Sequence, residues 1–183
     1  MKDTGIVRRV DGLGRIVIPK EIRKNIKIKE GDPLEFYTDR GELILRKYSP
    51  LEDNEEFLSK ILTSLTEVIQ KECIITDLDR VILATETYKS LENKSISDTM
   101  QKILTEKKSV NLNLIDGYKD FNFIKGEQQF DAVNIFVMPI VCDSQLFGGI
   151  IIPSKDGAIK EEDLDVKSIR VCAKIIARHF IFE

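Results

Sequence analysis

Gly5-Ile6-Val7-Arg8-Arg9-Val10-Asp11-Gly12-Leu13-Gly14-Arg15-Ile16-Val17-Ile18-Pro19-Lys20-Glu21-Ile22-Arg23-Lys24 is the stretch that decides how the first part of this 183-residue chain folds. Val7, Val10, Ile16, Val17 and Ile18 are β-branched and fit a pleated, half-buried surface. Gly12 and Gly14 stand between the two apolar groups and let the backbone reverse there. Pro19 suits the first position of a helix, where its missing N–H is not needed. The pattern predicts strand, bend, strand and then a short helix.

Lys20, Arg23 or Lys24, and Lys27 recur at helical spacing, so that helix has a cationic face, with Ile22 and Ile26 on another side. Arg8, Arg9 and Arg15 add charge from the strands. So many cations on a small scaffold meet the physical requirement for binding the phosphates of double-stranded DNA. A merely solvated surface carries such residues too, and the distribution of charge bears on the choice. Residues 1–48 hold twelve Lys and Arg against eight Asp and Glu, a net +4; the remainder holds sixteen against twenty-three, a net −7. A basic excess confined to one module is expected when that module alone touches nucleic acid.

Leu34 to Thr38 and Glu42 to Lys47 read as two more strands, joined by the three-residue hairpin loop Asp39-Arg40-Gly41. Leu34, Phe36 and Thr38 face one way, in register with Leu43 and Leu45. A segment of 48 residues is short of a stable core; below roughly 50 residues a domain usually needs disulfides, a metal or a partner chain. Neither of the first two is patterned here, so a homodimer is expected, which doubles the basic surface about a two-fold axis.

The motif from Thr4-Gly5-Ile6-Val7-Arg8-Arg9-Val10-Asp11 through Leu13-Gly14-Arg15-Ile16-Val17-Ile18-Pro19 to Glu21-Ile22-Arg23-Lys24 resembles the AbrB family of bacterial transition-state regulators. The resemblance covers about 48 residues and implies a swapped-hairpin dimer whose two chains interleave their strands. The family's DNA-contacting positions fall on Arg8, Arg15, Arg23 and Lys24, the last a lysine where arginine is also seen. Lysine supplies the charge without the bidentate fork. With the neighbouring cations, the expected DNA-binding set is Arg8, Arg9, Arg15, Lys20, Arg23 and Lys24.

Residues 49–54 read as a polar linker, with Pro50 stopping the preceding strand. From Glu55 to Lys71, Leu58, Ile61 or Leu62, Leu65, and Val68 or Ile69 form a near-heptad apolar stripe, fit for a core, a subunit interface or both. A hairpin follows, Cys73 to Thr76 and Arg80 to Thr85 about Asp77-Leu78-Asp79. Asp77 and Asp79 suit a turn, where Asp bonds its own backbone, better than a catalytic carboxylate pair. A helix is predicted over 95–108, a short strand over 110–115 and a long loop over 116–131. Two apolar strands, 132–142 and 146–152, meet at Asp143-Ser144-Gln145. Gly148-Gly149 fits a bend or bulge better than a phosphate loop, since no helix follows. The last helix is expected from near Glu161, with Glu161, Glu162 and Asp163 in its first turn and Val166, Ile169, Cys172 or Ala173, Ile176 and Phe180 on its apolar side.

The order helix, two strands, helix, three strands, helix over residues 55–183 resembles a GAF domain, a small-molecule sensor or dimerisation module built on an antiparallel sheet. The expected fold is therefore α+β: an AbrB-like swapped-hairpin domain (1–48), a linker (49–54) and a GAF-like regulatory or oligomerisation domain (55–183). The combination implies a transcription regulator of late sporulation, activator or repressor, with a homotetramer formed through the second domain.

Cys73, Cys142 and Cys172 are distant from one another and set among apolar neighbours, and His179 is the only histidine. That set forms no zinc pattern and argues against most acid–base and nucleophilic catalysis. No metal or cofactor is expected. No apolar run approaches the roughly 20 residues of a membrane span, and the N-terminus lacks a signal-peptide core, so a cytoplasmic protein without a membrane partner is expected. A small-molecule effector of the second domain would sit under the 116–131 loop, lined by Phe121, Phe123 and Phe130, with Asp116, Asp120 or Lys125 orienting a polar group; otherwise these phenylalanines pin the loop. Two other readings are an antitoxin, whose C-terminal tail would be disordered until it wraps a toxin, and a GAF-fold thiol enzyme, which needs a reactive cysteine.

Overall fold

The computed structural model describes residues 5–26, 28, 30, 32–115, 121–127, 130–155, 157 and 164–180. The chain divides into two compact units, Met1–Tyr48 and Ser49–Glu183.

In the first unit the chain reverses at residues 12–14, as the glycines require, with Gly14 at φ +77°. The flanking segments, expected as strands, form no ladder within the single chain. The reason is visible in their exposure: Val7 is 84% and Val17 75% exposed, so nothing in their own chain covers them. Pro19 stands at the cap of helix α1 (Lys20–Asn25), one residue before the first helical position expected for it. Its carbonyl accepts the Arg23 N–H at 2.9 Å, the first turn of the helix. Strands β1 (Leu34–Asp39) and β2 (Glu42–Lys47) pair antiparallel, with Phe36 opposite Leu45 and Thr38 opposite Leu43. Asp39 pairs with Glu42, so the connection is two residues, Arg40-Gly41, rather than the expected three. Both take positive φ, 45° and 85°, the twist that matches right-handed strands. Among the described residues of this unit only Pro19 is buried. Lys27 lies outside the described residues.

The second unit begins earlier than a polar linker at 49–54 allows. Residues Pro50–Asp53 form helix α2, and Leu51 is fully buried in the body core. Glu52 of this helix pairs with Arg80, fixing it to the turn before β4. Proline at the first turn starts a helix as readily as it stops a strand, and one leucine suffices to seat it.

Helix α3 (Glu55–Ile69) leads into a five-stranded antiparallel sheet of order β4-β3-β7-β6-β5. The strands are β3 (Ile74–Thr76), β4 (Val81–Ala84), β5 (Val110–Asn113), β6 (Asn134–Cys142) and β7 (Gln145–Ser154). A 3₁₀ helix, Glu86–Leu91, follows β4 and was not anticipated. Helix α4 (Asp98–Thr105) is shorter than expected because the Ser97 hydroxyl accepts the Met100 N–H and caps it there. Helix α5 (Leu164–His179) closes the unit; Glu161, Glu162 and Asp163 lie outside the described residues.

The sheet is covered on both faces, which explains the unbroken apolar runs of β6 and β7. On one face Leu58, Leu62, Leu65 and Ile69 of α3 and Val166, Ile169, Ala173 and Ile176 of α5 meet Phe136, Met138, Ile140 and Ile150. On the other, Ile96, Met100 and Leu104 meet Ile135, Val137 and Ile151. Asp77 closes the β3–β4 turn, its carboxylate accepting the Asp79 and Arg80 N–H groups at 2.7 Å each. Where β6 meets β7 the register slips between Ile140 and Val141, a bulge that falls just before Gly148.

Candidate nucleic-acid interface

The bend at residues 11–15 is built by one side chain. Asp11 and Arg15 are joined through the backbone, Asp11 N–H donating to the Arg15 carbonyl at 3.0 Å, and Gly14 N–H donates to the Asp11 carbonyl at 3.0 Å. The Asp11 carboxylate then accepts the Leu13 and Arg15 N–H groups, both at 2.9 Å. Its other oxygen accepts Arg15 Nε–H at 2.8 Å. Hydrogen bonds from the Arg15 backbone and side chain hold the Asp11 carboxyl below its usual range. A guanidinium has five N–H donors, so the Nη groups of Arg15 remain for another partner while Asp11 aims the group. Arg15 itself is largely exposed.

Asp11 thus organises the bend and holds Arg15, a part that the reading of cations alone does not single out. The available signal is an Asp four residues before an Arg across Gly-Leu-Gly, a short acidic side chain suited to capping turn N–H groups.

Arg8 and Arg9 are exposed on the segment entering the bend, and Arg8 donates from Nη1 to the Val7 carbonyl at 3.0 Å. Lys20, Arg23 and Lys24 are exposed on α1, with Arg23 and Lys24 in its last turn, where the helix dipole favours cations. The six expected cations are thus all exposed and lie on two consecutive pieces of backbone, the bend segment and α1.

Of the three phenylalanines expected around an effector, Phe121 and Phe123 belong to the core on the α4 face of the sheet and Phe130 packs against it. Phe121 and Phe123 are buried, Phe130 lies 4.7 Å from Phe123 between ring centres, and Tyr88 stacks on Phe130 at 5.3 Å. Tyr88 donates its hydroxyl to the Asp131 carbonyl at 2.6 Å. Lys125 is exposed; Asp116 and Asp120 lie outside the described residues.

Of the thiols, Cys73 is fully buried and its pKa is pushed up to about 12 by that burial; burial also raises Cys172. Neither favours the thiolate that sulfur chemistry needs. His179 is half-buried, its ring stacked 4.2 Å from Phe57. Among the described residues no group of three or more His, Cys, Asp or Glu is placed to hold a metal, and no helix is long and apolar enough to cross a membrane.

Comparison with known proteins covers both units. A family model described as stage V sporulation protein T C-terminal, transcription factor, matches residues 53–180. A second, described as antidote-toxin recognition MazE, bacterial antitoxin, matches residues 7–53. The chain is 38% identical over 180 residues to stage V sporulation protein T of Bacillus subtilis, spanning 97% of this chain and 98% of that protein. Over 50 residues it is 58% identical to the transition state regulatory protein AbrB of the same organism, 27% of this chain and 52% of AbrB. The body is similar to the crystal structure of a GAF domain/HD domain protein from Geobacter sulfurreducens, at 11% identity and a TM-score of 0.51, over 69% of this chain and 93% of that one; that likeness concerns the fold alone.

Proposed function

The chain belongs to the stage V sporulation protein T family, and from that premise we propose that it is a DNA-binding transcription regulator of late, forespore sporulation genes, acting as activator or repressor. The observation that carries this reading is the Asp11-aimed Arg15 on a bend flanked by Arg8, Arg9, Lys20, Arg23 and Lys24. Phosphate contacts from these cations set position on the duplex, and arginine forks reach base edges. Among its described residues the unit offers only a six-residue helix, so part of the specificity comes from the shape and deformability of the DNA.

The head works as a homodimer. Val7, Val17 and Phe36 are exposed in the single chain, Phe36 at 66%. Each large apolar side chain taken out of water contributes about 1.5–3 kcal/mol, so a second copy that covers these residues supplies the core one chain lacks.

The test is a gel-shift titration of the full chain on promoter DNA of sporulation genes across a salt series. Arg23→Ala is expected to weaken binding and to lower the slope of log affinity against log salt by about one phosphate contact. An unchanged slope and affinity would remove Arg23 from the interface.

Pairs of head dimers are joined through the bodies. Val68 on α3 and Val171 on α5 are 62% and 56% exposed, and these two helices pack on each other. Val68→Lys with Val171→Lys is expected to convert a tetramer into a dimer, read as a halved mass in sedimentation equilibrium. A full tetramer in that variant would place the contact elsewhere.

The antitoxin reading draws on the match of residues 7–53 to the MazE model. It calls for a C-terminal tail that folds only on its toxin, whereas this body has its own five-stranded sheet with a core on each face. The thiol-enzyme reading is disfavoured by the raised Cys73 and Cys172. Supporting a regulator without catalysis, the relative over nearly the whole chain belongs to a family described as transcription factors.

A further inference from the structure

The body holds a cavity of about 480 Å³ at the β5 edge of its sheet, between α5 and the turn that leads from α4 into β5. Its floor is apolar, with Met138, Pro139 and Ala173 all buried. Its rim is cationic, carrying Lys107, Lys108, Arg170 and Lys174, and among the described residues no carboxylate lines it. This cluster runs against the prevailing sign, since residues 49–183 carry a net −7.

Two details make the cluster costly without an anion. Arg170 and Lys174 are four apart on α5, where like charges repel across one helical turn. Lys107 sits just past the end of α4 at φ +56°, a left-handed position that glycine fills most easily. Its ammonium donates to the Ser144 carbonyl of the β6–β7 turn at 2.6 Å.

We propose that this cavity is an effector site for a phosphorylated small molecule. The phosphate pairs with Lys107, Lys108, Arg170 and Lys174, and an apolar part of the ligand rests on Met138, Pro139 and Ala173. The site lies on the α3/α5 face of the sheet, to which Met138 and Ala173 belong, opposite the face packed by Phe121 and Phe123. A cationic rim around an apolar floor suits a small organic anion with an apolar part better than the phosphate backbone of DNA, which has nothing to set on that floor.

The experiment is calorimetric titration of the full-length protein with ATP and with inorganic pyrophosphate at low and moderate salt. Saturable binding of one probe molecule per chain is expected, weakening with salt. Arg170→Gln with Lys174→Gln is expected to raise Kd at least about tenfold, while Lys167→Gln, an exposed α5 cation that does not line the cavity, leaves it unchanged. Lys108→Gln lies in a turn and keeps the test alive if the α5 double variant misfolds; its Kd is expected to rise severalfold. Failure of both probes to bind at millimolar concentration overturns the proposal. So does binding that survives the double variant, or that Lys167→Gln weakens equally. If neither probe binds but the double variant loses affinity for duplex DNA, the patch is a DNA phosphate contact and the effector site is excluded. Binding through these residues is independent of the head, so either outcome leaves the DNA-binding reading to its own test.

Discussion

Arg15→Ala is expected to weaken binding of the full chain to promoter DNA by roughly 5- to 150-fold, the range that about 1–3 kcal/mol for a well-placed guanidinium contact implies. The fold of the bend should survive, because the Asp11 carboxylate keeps its bonds to the Leu13 N–H and to the N–H of residue 15. Far-ultraviolet circular dichroism should therefore be unchanged while the gel shift moves. Asp11→Ala makes the sharper companion. If charge alone governed affinity, removing a carboxylate from a cationic surface would tighten binding. Because Asp11 aims Arg15 and closes the turn, the substitution is expected to weaken binding instead. Tighter binding by Asp11→Ala, or an unaltered affinity for Arg15→Ala, would dissolve the link between this bend and DNA. The dependence on pH has a definite sign. Asp11 has a carboxyl pKa lowered from 3.8 in the folded chain, so its contribution is complete above that value and is lost as pH falls through the lowered one. Neutral buffers leave it untouched.

Local signals in the chain revealed elements whose cause is local. The β1–β2 hairpin follows from alternation and Arg40-Gly41; the buried stripe Leu58, Leu62, Leu65 and Ile69 follows from helical period; the Asp77 turn follows from the side chain's reach to its own backbone. What the sequence hid depends on contacts between distant segments. Nothing local distinguishes Leu51 as a core residue, because its burial comes from β7 and α3. The strands expected at either side of Gly12-Gly14 have the right residues but no partner within one chain, and a strand exists only as part of a ladder. The cationic cavity joins Lys107 and Lys108 to Arg170 and Lys174, more than sixty residues away; each pair alone reads as a solvated surface. The six proposed DNA-contacting cations stand out in the sequence because their spacing is short, whereas Asp11 does not, since the part proposed for it is geometric and not a matter of charge.

Gly148→Ala is expected to be among the most damaging single changes in the body, for a reason that separates it from its neighbour. A Cβ at Gly148 would stand 1.9 Å from the Thr76 carbonyl oxygen and 2.9 Å from the Asp77 Cα. Both are backbone atoms of the paired strand β3 and its turn, so relief requires moving the strand. A Cβ at Gly149 would meet the Leu104 Cδ2 at 2.5 Å, the end of a side chain that can turn aside. Overpacking of a tight core costs about 1–3 kcal/mol, and a backbone clash beside a bulge belongs at or beyond the upper end. For a unit of this size about 3 kcal/mol lowers the melting temperature by roughly 10 °C. Gly149→Ala should cost clearly less. Thermal unfolding followed by circular dichroism decides the matter: equal melting temperatures for the two variants, or a Gly148→Ala protein as stable as the parent, would mean that β3 and β7 do not approach as closely as the structure has them. The consequence spreads through the body, because Asp77 anchors Arg80, its N–H donating to the Arg80 carbonyl and its carboxylate accepting the Arg80 N–H, and Arg80 holds α2 through Glu52. Loosening Gly148 therefore loosens the helix that opens the body immediately after Tyr48.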